Sequence, residues 1–491
     1  MSQLGVAHFL SLPRPDIFIG PPAGVPDTTT LAAHDFDVDT RTGFMPPQIP
    51  LRRLSTDWEL WELALEDAIS SRLELGDRHG VQEKEKEKSR LWRERVRGLS
   101  ILPIDDLKTS ETALRRAHLV LAWIMHFYVH SLPISEPVRI PPSITLPLLQ
   151  VSAQLQLPPV LTYSDDVLYN WYLDPPHTDD LPTESTIKCQ TSFTSTNDEA
   201  EFYLTSARME LAGVDALELM RSTMDEAFVG DDIAIRRITE YLHQLVDVIH
   251  RLRVMLLDVK KGCDPQVFYH NVRPWFRGED SQNGRKWVFE GIGQDATLVE
   301  PTELSGPSAG QSSLIHALDI FLGVDQYSHE RSLTGDAVDE AQANTAAQKS
   351  AFLERMQLYM PRHHRTFLNH LSNNPRPLRS LVFDAVAASG TNGAALLKAY
   401  NAAVMALKEF RDAHMIIVAL YIVTPARLHA AQLKSQAPEM DTQTRPGAES
   451  EYVVGTAESS EKEPLKGTGG TDLVRFLKGV RDQTKGALMS L

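Results

Sequence analysis

The sequence predicts an all-α protein, and three observations carry that prediction. Between residues 238 and 256, Ile238, Leu242, Leu245, Ile249, Leu252 and Leu256 recur in steps of four and three, the spacing that keeps side chains on one helix face. The stretch ETALRRAHLVLAWIMHFYVH (111–130) is apolar on nearly every face, the mark of a helix buried on all sides. Few segments alternate polar and apolar residues with period two, and none is long, which leaves little material for sheet.

Taken in order, residues 1–45 are rich in Pro, Gly, Asp and Thr without apolar periodicity and read as an irregular arm. VQEKEKEKSRLWRERVRG (81–98) alternates charge at spacings that favour a solvated helix. After the apolar helix, prolines at 133, 137, 141, 142 and 147 break the chain into turns and short segments, and a helix restarts near Ser164. The helix carrying residues 238–256 follows, and another long one spans roughly 395–424. From about 428 to 470 the composition shifts to Ser, Gln, Glu, Thr, Pro and Gly and reads as a long mobile loop. Thr471 then has the features of an N-cap for a last helix built on Leu473, Phe476, Leu477 and Val480. Two domains accommodate these elements: a small helical domain over 46–190 and a large one over 191–491.

The length of 491 residues and a hydrophobic share of 42% allow substantial cores. With 65 acidic against 49 basic side chains the formal charge is -16, which disfavours nucleic acid and anionic membrane surfaces as partners and points to a small molecule. Cys189 and Cys263 are too few for a disulfide framework or a thiolate metal site, so an intracellular, cytoplasmic setting is expected. The N-terminal run lacks a positive n-region and is broken by Pro13 and Pro15, so no signal peptide is expected; nor do eighteen apolar residues run uninterrupted by charge.

Three stretches carry chemistry. In EFRDAHMIIVALYIVTPA (409–426), His414 shares a helical stripe with Leu407, Phe410, Ile417, Val418 and Tyr421, so it should face the core. An imidazole there is either a core histidine held by a hydrogen bond or a ligand to a metal or haem iron. In PQVFYHNVRPWFRG (265–278), Tyr269 and Arg273 lie four apart on one face, and Pro274 should end or kink the helix. An arginine at such an end either makes a structural ion pair or presents its planar fork to a ligand carboxylate. In LSGPSAGQSSLIHALDIFLG (304–323), a Gly- and Ser-rich loop runs into a helix and offers N–H groups and hydroxyls to a polar ligand, without the lysine of a Walker loop. Asp319, in stripe with Ile315, Leu318 and Leu322, is a carboxylate that must find a partner.

Seven stretches, LPPVLTYSDDVLYNW, EFYLTSARMELAG, FYHNVRPWFRG, PSAGQSSLIHALDIFLG, MQLYMPRHHRTFLNHL, FRDAHMIIVALYI and KGTGGTDLVRFLKGVR, occur in the order found in the indoleamine 2,3-dioxygenase family, which the chain resembles from about residue 50 to its C-terminus. The resemblance implies a monomeric haem b enzyme with haem between a small and a large helical domain. It implies cleavage of the indole C2–C3 bond of L-tryptophan or a related indoleamine by O2 to give N-formylkynurenine, the first step of the kynurenine pathway, with an electron donor keeping the iron ferrous. It places His414 as the proximal iron ligand, Asp319 as the carboxylate behind it, directly or through water, and Arg411 at a haem propionate. Phe202, Phe268 and Tyr269 match the aromatic wall over the haem, and Tyr163 and Val167 the deep indole pocket. Ser206 matches a hydroxyl position near dioxygen, Arg273 the substrate-carboxylate clamp, Ser308, Ala309 and Gly310 the loop beside haem and substrate, and Thr468 a residue that closes over the amino acid.

Three positions depart from the family pattern. Asp166 stands where a small uncharged pocket residue is expected, Arg277 replaces a small residue after the arginine clamp, and Pro307 replaces a glycine before Ser308. Asp166 and Arg277 are expected to neutralise each other at the pocket edge, since a lone carboxylate against an indole is costly. Two readings compete with the dioxygenase: a divergent haem-binding paralogue with weak tryptophan turnover, and a non-catalytic helical interaction protein.

Overall fold

The computed structural model describes residues 36–489, apart from 79, 175–180, 282–284, 325–353, 374–377, 389–390 and 437–472. It is predominantly helical. The chain runs through α1 (Glu59–Ser70), α2 (Glu83–Arg97), α3 (Glu111–His130) and α4 (Pro142–Leu155), then α5 (Asn197–Ala212), α6 (Val214–Val229) and α7 (Asp232–Asp258). It continues with α8 (Ser313–Phe321), α9 (Arg362–Asn373), α10 (Leu378–Ala387), α11 (Thr391–Val418), α12 (Thr424–Gln436) and α13 (Leu473–Gly486). Strands are three residues each: β1 (Val138–Ile140) pairs in parallel with β4 (Trp287–Phe289), and β2 (Trp171–Leu173) antiparallel with β3 (Ile187–Cys189).

Sequence features account for the ends of several helices. Ser110 caps α3 by accepting from the Ala113 N–H, Thr196 caps α5 through the Glu199 N–H, and Asp231 caps α7 through the Ala234 N–H. Helix α3 is buried from Leu114 to His130, as its all-round apolar pattern requires. Its histidines are satisfied internally: His126 Nδ1 pairs with the Trp275 carbonyl at 2.7 Å and its Nε2 accepts from the Leu161 N–H at 3.2 Å, while burial lowers its pKa to about 4. The charged helix α2 is solvated on most of its surface but buries Trp92, Arg93 and Val96. Near Ser164 the expected helix is only a five-residue π turn, Ser164–Leu168, because a strand follows directly at Trp171.

Two large apolar clusters organise the molecule. The first joins Trp61, Trp92, Trp123 and Phe127 to Phe268, Trp275, Trp287 and Tyr421, so its packing crosses residue 190. The second joins α7, α8, α10 and α11 through Leu242, Ile249, Leu318, Val382, Tyr400 and Leu407. Helix α11 continues through a π turn, Ala419–Val423, into α12. Residues 428–436, expected in the mobile loop, are therefore helical; Pro425 comes just after the π turn, at the point where the hydrogen-bond pattern changes. Thr471 and residues 437–470 lie outside the described residues. Among the described residues, the continuous helix Thr391–Gln432 is long and apolar enough to cross a membrane, with a mean hydropathy of 1.3 over its most apolar window. Its inner face instead packs on α7 and α13, leaving Ile416, Leu420 and Leu428 exposed.

Candidate active site

The site begins on α11. Leu407, Phe410, Ile417, Val418 and Tyr421 are buried as the stripe predicts, but His414 is only half-buried. Neither of its ring nitrogens has a hydrogen-bond partner among the described residues. Burial, with a smaller contribution from the neighbouring Arg411 guanidinium, lowers its pKa to about 4, so the ring is neutral near pH 7 and carries a free lone pair. This differs from a core histidine, whose nitrogens are satisfied as those of His126 are.

Asp319 and Arg411 meet each other. One guanidinium nitrogen, Nη2, donates to both carboxylate oxygens at 2.6 and 2.5 Å, and Nη1 donates to the Thr484 hydroxyl on α13. The resemblance assigned Asp319 to the imidazole, directly or through water, and Arg411 to a haem propionate; in this structure the two side chains bond each other, and Asp319 makes no direct hydrogen bond to His414. The reason is electrostatic, since an arginine and an aspartate that are 8% and 7% exposed compensate each other's desolvation. The imidazole behind Asp319 is His316, whose Nε2 bonds the Gly310 carbonyl at 2.9 Å and fixes the loop end to α8.

The aromatic wall assembles from three segments. Phe202 and Phe268 lie 4.4 Å apart between ring centroids, with Phe276 at 6.0 and 6.2 Å from them and Tyr421 5.7 Å from Phe268. Tyr421 donates to the Cys263 carbonyl at 2.6 Å. It stands seven residues beyond His414, in the π turn Ala419–Val423 that continues α11, so the wall packs against the continuation of the histidine's own helix. Tyr269 is half-buried beside Phe268, with the Arg273 guanidinium carbon 5.7 Å from its ring centroid. Arg273 is 8% exposed, and burial followed by repulsion from Arg277 lowers its pKa to about 10. Pro274 changes the helix type, from a π turn over Phe268–Val272 to a 3₁₀ turn over Arg273–Phe276.

On α5, Phe202, Ser206 and Glu210 fall four residues apart and share one face. Ser206 is half-buried and makes no hydrogen bond among the described side chains. Glu210 accepts from the Tyr163 hydroxyl at 2.9 Å and the Ser312 hydroxyl at 2.7 Å through Oε1, while its buried Oε2 has no partner. Burial raises its pKa to about 7 against the opposing pull of those two hydrogen bonds. Gln311 ties the pieces together by accepting from the Tyr163 N–H at 2.8 Å and donating to the Gly306 carbonyl at 3.0 Å. The Ser308 hydroxyl accepts from the Gly310 N–H, and Ala309 is exposed. Close backbone contact fixes this loop to the arginine segment: a Cβ on Gly278 would sit 2.0 Å from the Leu304 carbonyl oxygen, and one on Gly306 1.9 Å from that of Phe276.

The expected Asp166–Arg277 pair does not form. Arg277 reaches Asp77 at 3.0 Å, and its carbonyl accepts from His130. Asp166 is buried next to Val167 with Oδ1 unbonded; burial, then the neighbouring Asp165 charge, pushes its pKa well up, toward the protonated acid. Asp165 is already committed to His118 Nδ1 at 2.8 Å and to the Thr162 N–H and hydroxyl. Thr468 lies outside the described residues. Among the described residues no three His, Cys, Asp or Glu side chains converge as a metal chelate.

The family model of indoleamine 2,3-dioxygenase matches residues 32–487. The chain belongs to the indoleamine 2,3-dioxygenase family. It is 31% identical to indoleamine 2,3-dioxygenase of Saccharomyces cerevisiae, covering 90% of each chain. It is 28% identical to indoleamine 2,3-dioxygenase 1 of Mus musculus over 93% of this chain and 96% of the other. A third relative, 6-hydroxytryptophan 2,3-dioxygenase of Fusarium equiseti, is 26% identical over 94% and 99%. As a member of this family the protein is a dioxygenase, an oxidoreductase.

Sequence reasoning did not single out Glu210, Gln311, Phe276 or Tyr421 as site residues. Glu210 had a legible signal, an acid one turn beyond Ser206 on a face that begins with Phe202. The aromatic partners depend on how three distant segments cross, which spacing within any one of them does not encode.

Proposed function

We propose that this protein opens the indole C2–C3 bond of L-tryptophan or a close indoleamine with O2 to give N-formylkynurenine, using haem b held by His414 between the small and large helical regions. The observation that carries the reading is the His414 imidazole, held neutral by burial and without a hydrogen-bond partner among the described residues, on the helix whose π-turn continuation packs Tyr421 against Phe268. These residues fit the group: a lone ring nitrogen is available to iron, and aromatic faces are available to a macrocycle or an indole. Haem, when bound, supplies the activation of dioxygen. The chain's own groups do the rest. Phe202, Phe268 and Phe276 exclude water and orient the indole, with Tyr163 and Val167 deeper in the pocket. Arg273, desolvated and close to Tyr269, holds the substrate carboxylate with its planar fork. Ser206 offers a hydroxyl between the aromatic wall and Glu210, and the loop Ser308–Gly310 borders both haem and substrate. Thr468 closes over the amino acid. A cellular reductant keeps the iron ferrous, and the protein acts as a cytoplasmic monomer in the kynurenine route.

The test is the absorption spectrum of the haem-reconstituted protein, ferric and dithionite-reduced, beside a His414→Ala variant, followed by turnover of L-tryptophan. A Soret band lost in the variant and shifted by tryptophan is the expected result. A haem spectrum unchanged by His414→Ala overturns the assignment of the ligand.

Asp166 favours a second reading of the substrate. A buried carboxyl whose Oδ1 has no partner, and whose acid form burial favours, suits a hydroxyl on the indole ring, which can donate to that oxygen. A hydroxytryptophan would then be the better substrate, and Asp166→Ser should lower its kcat/KM by about tenfold or more relative to that of tryptophan. An unchanged ratio removes this reading.

A further inference from the structure

A second cavity lies away from the catalytic elements, between α2, the C-terminal end of α3 and β1. It has a volume of about 290 Å³, and its walls include Arg90, Arg93, Arg97, Tyr128 and Arg139, with Glu136 at the rim. Three of the arginines are already matched: Arg90 pairs with Glu87 and Glu94, Arg97 bonds Glu290 at 2.6 Å, and Arg139 lies 3.8 Å from the other oxygen of Glu290. Arg93 is the exception. It is only 7% exposed, forms no ion pair among the described residues, and uses a single nitrogen, Nη1, to reach the Ser131 carbonyl at 2.6 Å and the Ser131 hydroxyl at 3.2 Å. Its Nε–Nη2 edge has no acceptor among the described residues, and this edge is the one that takes a carboxylate in two parallel hydrogen bonds. Beside it, the Tyr128 hydroxyl accepts from Arg97 at 3.1 Å and has no acceptor for its own hydrogen among the described residues. Arg93 is buried as a residue while its free edge opens on the cavity, and donors placed so on a cavity wall suit a ligand that accepts.

The charge balance narrows the class. The other arginines are neutralised locally, so the site has one cation to match, which suits a monoanion better than a phosphate. Glu136 is exposed at the opening and makes no close ion pair among the described residues, its charge acting on Arg93 and Arg285 only through space, so its oxygens can take a positive group. Leu132 and Pro137 add apolar surface to the lining. We propose that this cavity binds a free α-amino acid with an apolar side chain, its carboxylate on Arg93 and Tyr128 and its ammonium toward Glu136. The volume is at the small end of ligand pockets, the right scale for such a molecule.

Isothermal titration of the full-length, haem-loaded protein with L-leucine tests the proposal, alongside its 2-hydroxy analogue, which lacks the ammonium, and isopentylamine, which lacks the carboxylate. Leucine should bind, the hydroxy acid about fivefold more weakly, and the amine not measurably. Arg93→Met should weaken leucine at least about thirtyfold, whereas Glu136→Gln should cost about fivefold for leucine and nothing for the hydroxy acid. Glu136 is exposed, so its variant keeps the test decisive even if Arg93→Met folds poorly. No leucine binding, binding unaffected by Glu136→Gln, or binding of inorganic phosphate in preference to leucine overturns the proposal.

Discussion

The Arg411–Asp319 pair should dominate the local stability of the helix that carries His414. The side chains are 9% and 11% exposed, so solvent screens the interaction little, and both carboxylate oxygens are engaged by one guanidinium. Removing one member leaves a buried charge uncompensated, which typically costs about 3–5 kcal/mol, whereas replacing both by apolar groups of similar volume is often close to neutral. Arg411→Met should therefore lose about 4 kcal/mol, because the Thr484 contact goes as well. Asp319→Leu should lose a similar amount, and the double variant should recover most of the loss. Urea unfolding of the haem-free protein, followed by far-UV circular dichroism, reads the three differences, and the cycle isolates the coupling. If Arg411→Met costs less than about 1 kcal/mol, or the double variant loses the sum of the singles, the pair is not the anchor described. Repeating the cycle on the haem-loaded protein separates a purely structural Arg411 from one that turns to a propionate, since only the latter weakens haem binding in Arg411→Met beyond the effect on folding.

Glu210 should give the protein a distinctive pH dependence. Its carboxyl is held to about 7 when folded, against 4.5 in the solvated unfolded chain, so folding is opposed increasingly as pH rises from about 4.5 to 7 and constantly above that. The shift corresponds to about 3 kcal/mol, and Glu210→Gln should abolish that component of the difference between stabilities measured at pH 5 and pH 8. An identical pH dependence in the variant would show that Glu210 is ionised in the fold. At Gly278, alanine must displace the Leu304 carbonyl, so Gly278→Ala should cost about 1–3 kcal/mol and lower tryptophan turnover by moving the Arg273 segment from the Ser308 loop. Gly293→Ala, where a Cβ meets nothing within 4 Å, is the control, and equal effects of the two in thermal unfolding and turnover would refute the argument.

The helices were legible because their signals are local. The four-and-three spacing of Ile238 to Leu256 requires one face, and the capping oxygens of Ser110, Thr196 and Asp231 stand next to the amides they satisfy. The short elements were not. A π turn at Ser164–Leu168 and another at Phe268–Val272 resemble helix starts in composition, and only the strand or proline that follows decides their length. Side-chain pairing was the least legible level. Asp166 and Arg277 carry opposite charges and lie in two of the family stretches, yet the carboxylate that closes on Arg277 is Asp77, 200 residues away in sequence and outside all of them. Likewise Asp319 needed a partner, and the sequence offered both His414 and Arg411 one turn apart; the buried guanidinium had the larger desolvation to offset.

That outcome bears on how the site is held. His414 receives no hydrogen bond from the described residues, so its orientation comes from the helix rather than from a partner on its ring. The helix in turn is fixed at both ends of the relevant stretch: Arg411 ties it to Asp319 on α8 and to Thr484 on α13, and Tyr421 ties it to the Cys263 carbonyl just before the arginine segment. The same α8 begins at the loop that Gln311 binds to Tyr163. Histidine, indole pocket and polar loop are thus positioned by one connected set of contacts, so a substitution at Arg411 should disturb ring position and substrate pocket together, while one at Tyr421 should move the aromatic wall and leave the loop in place.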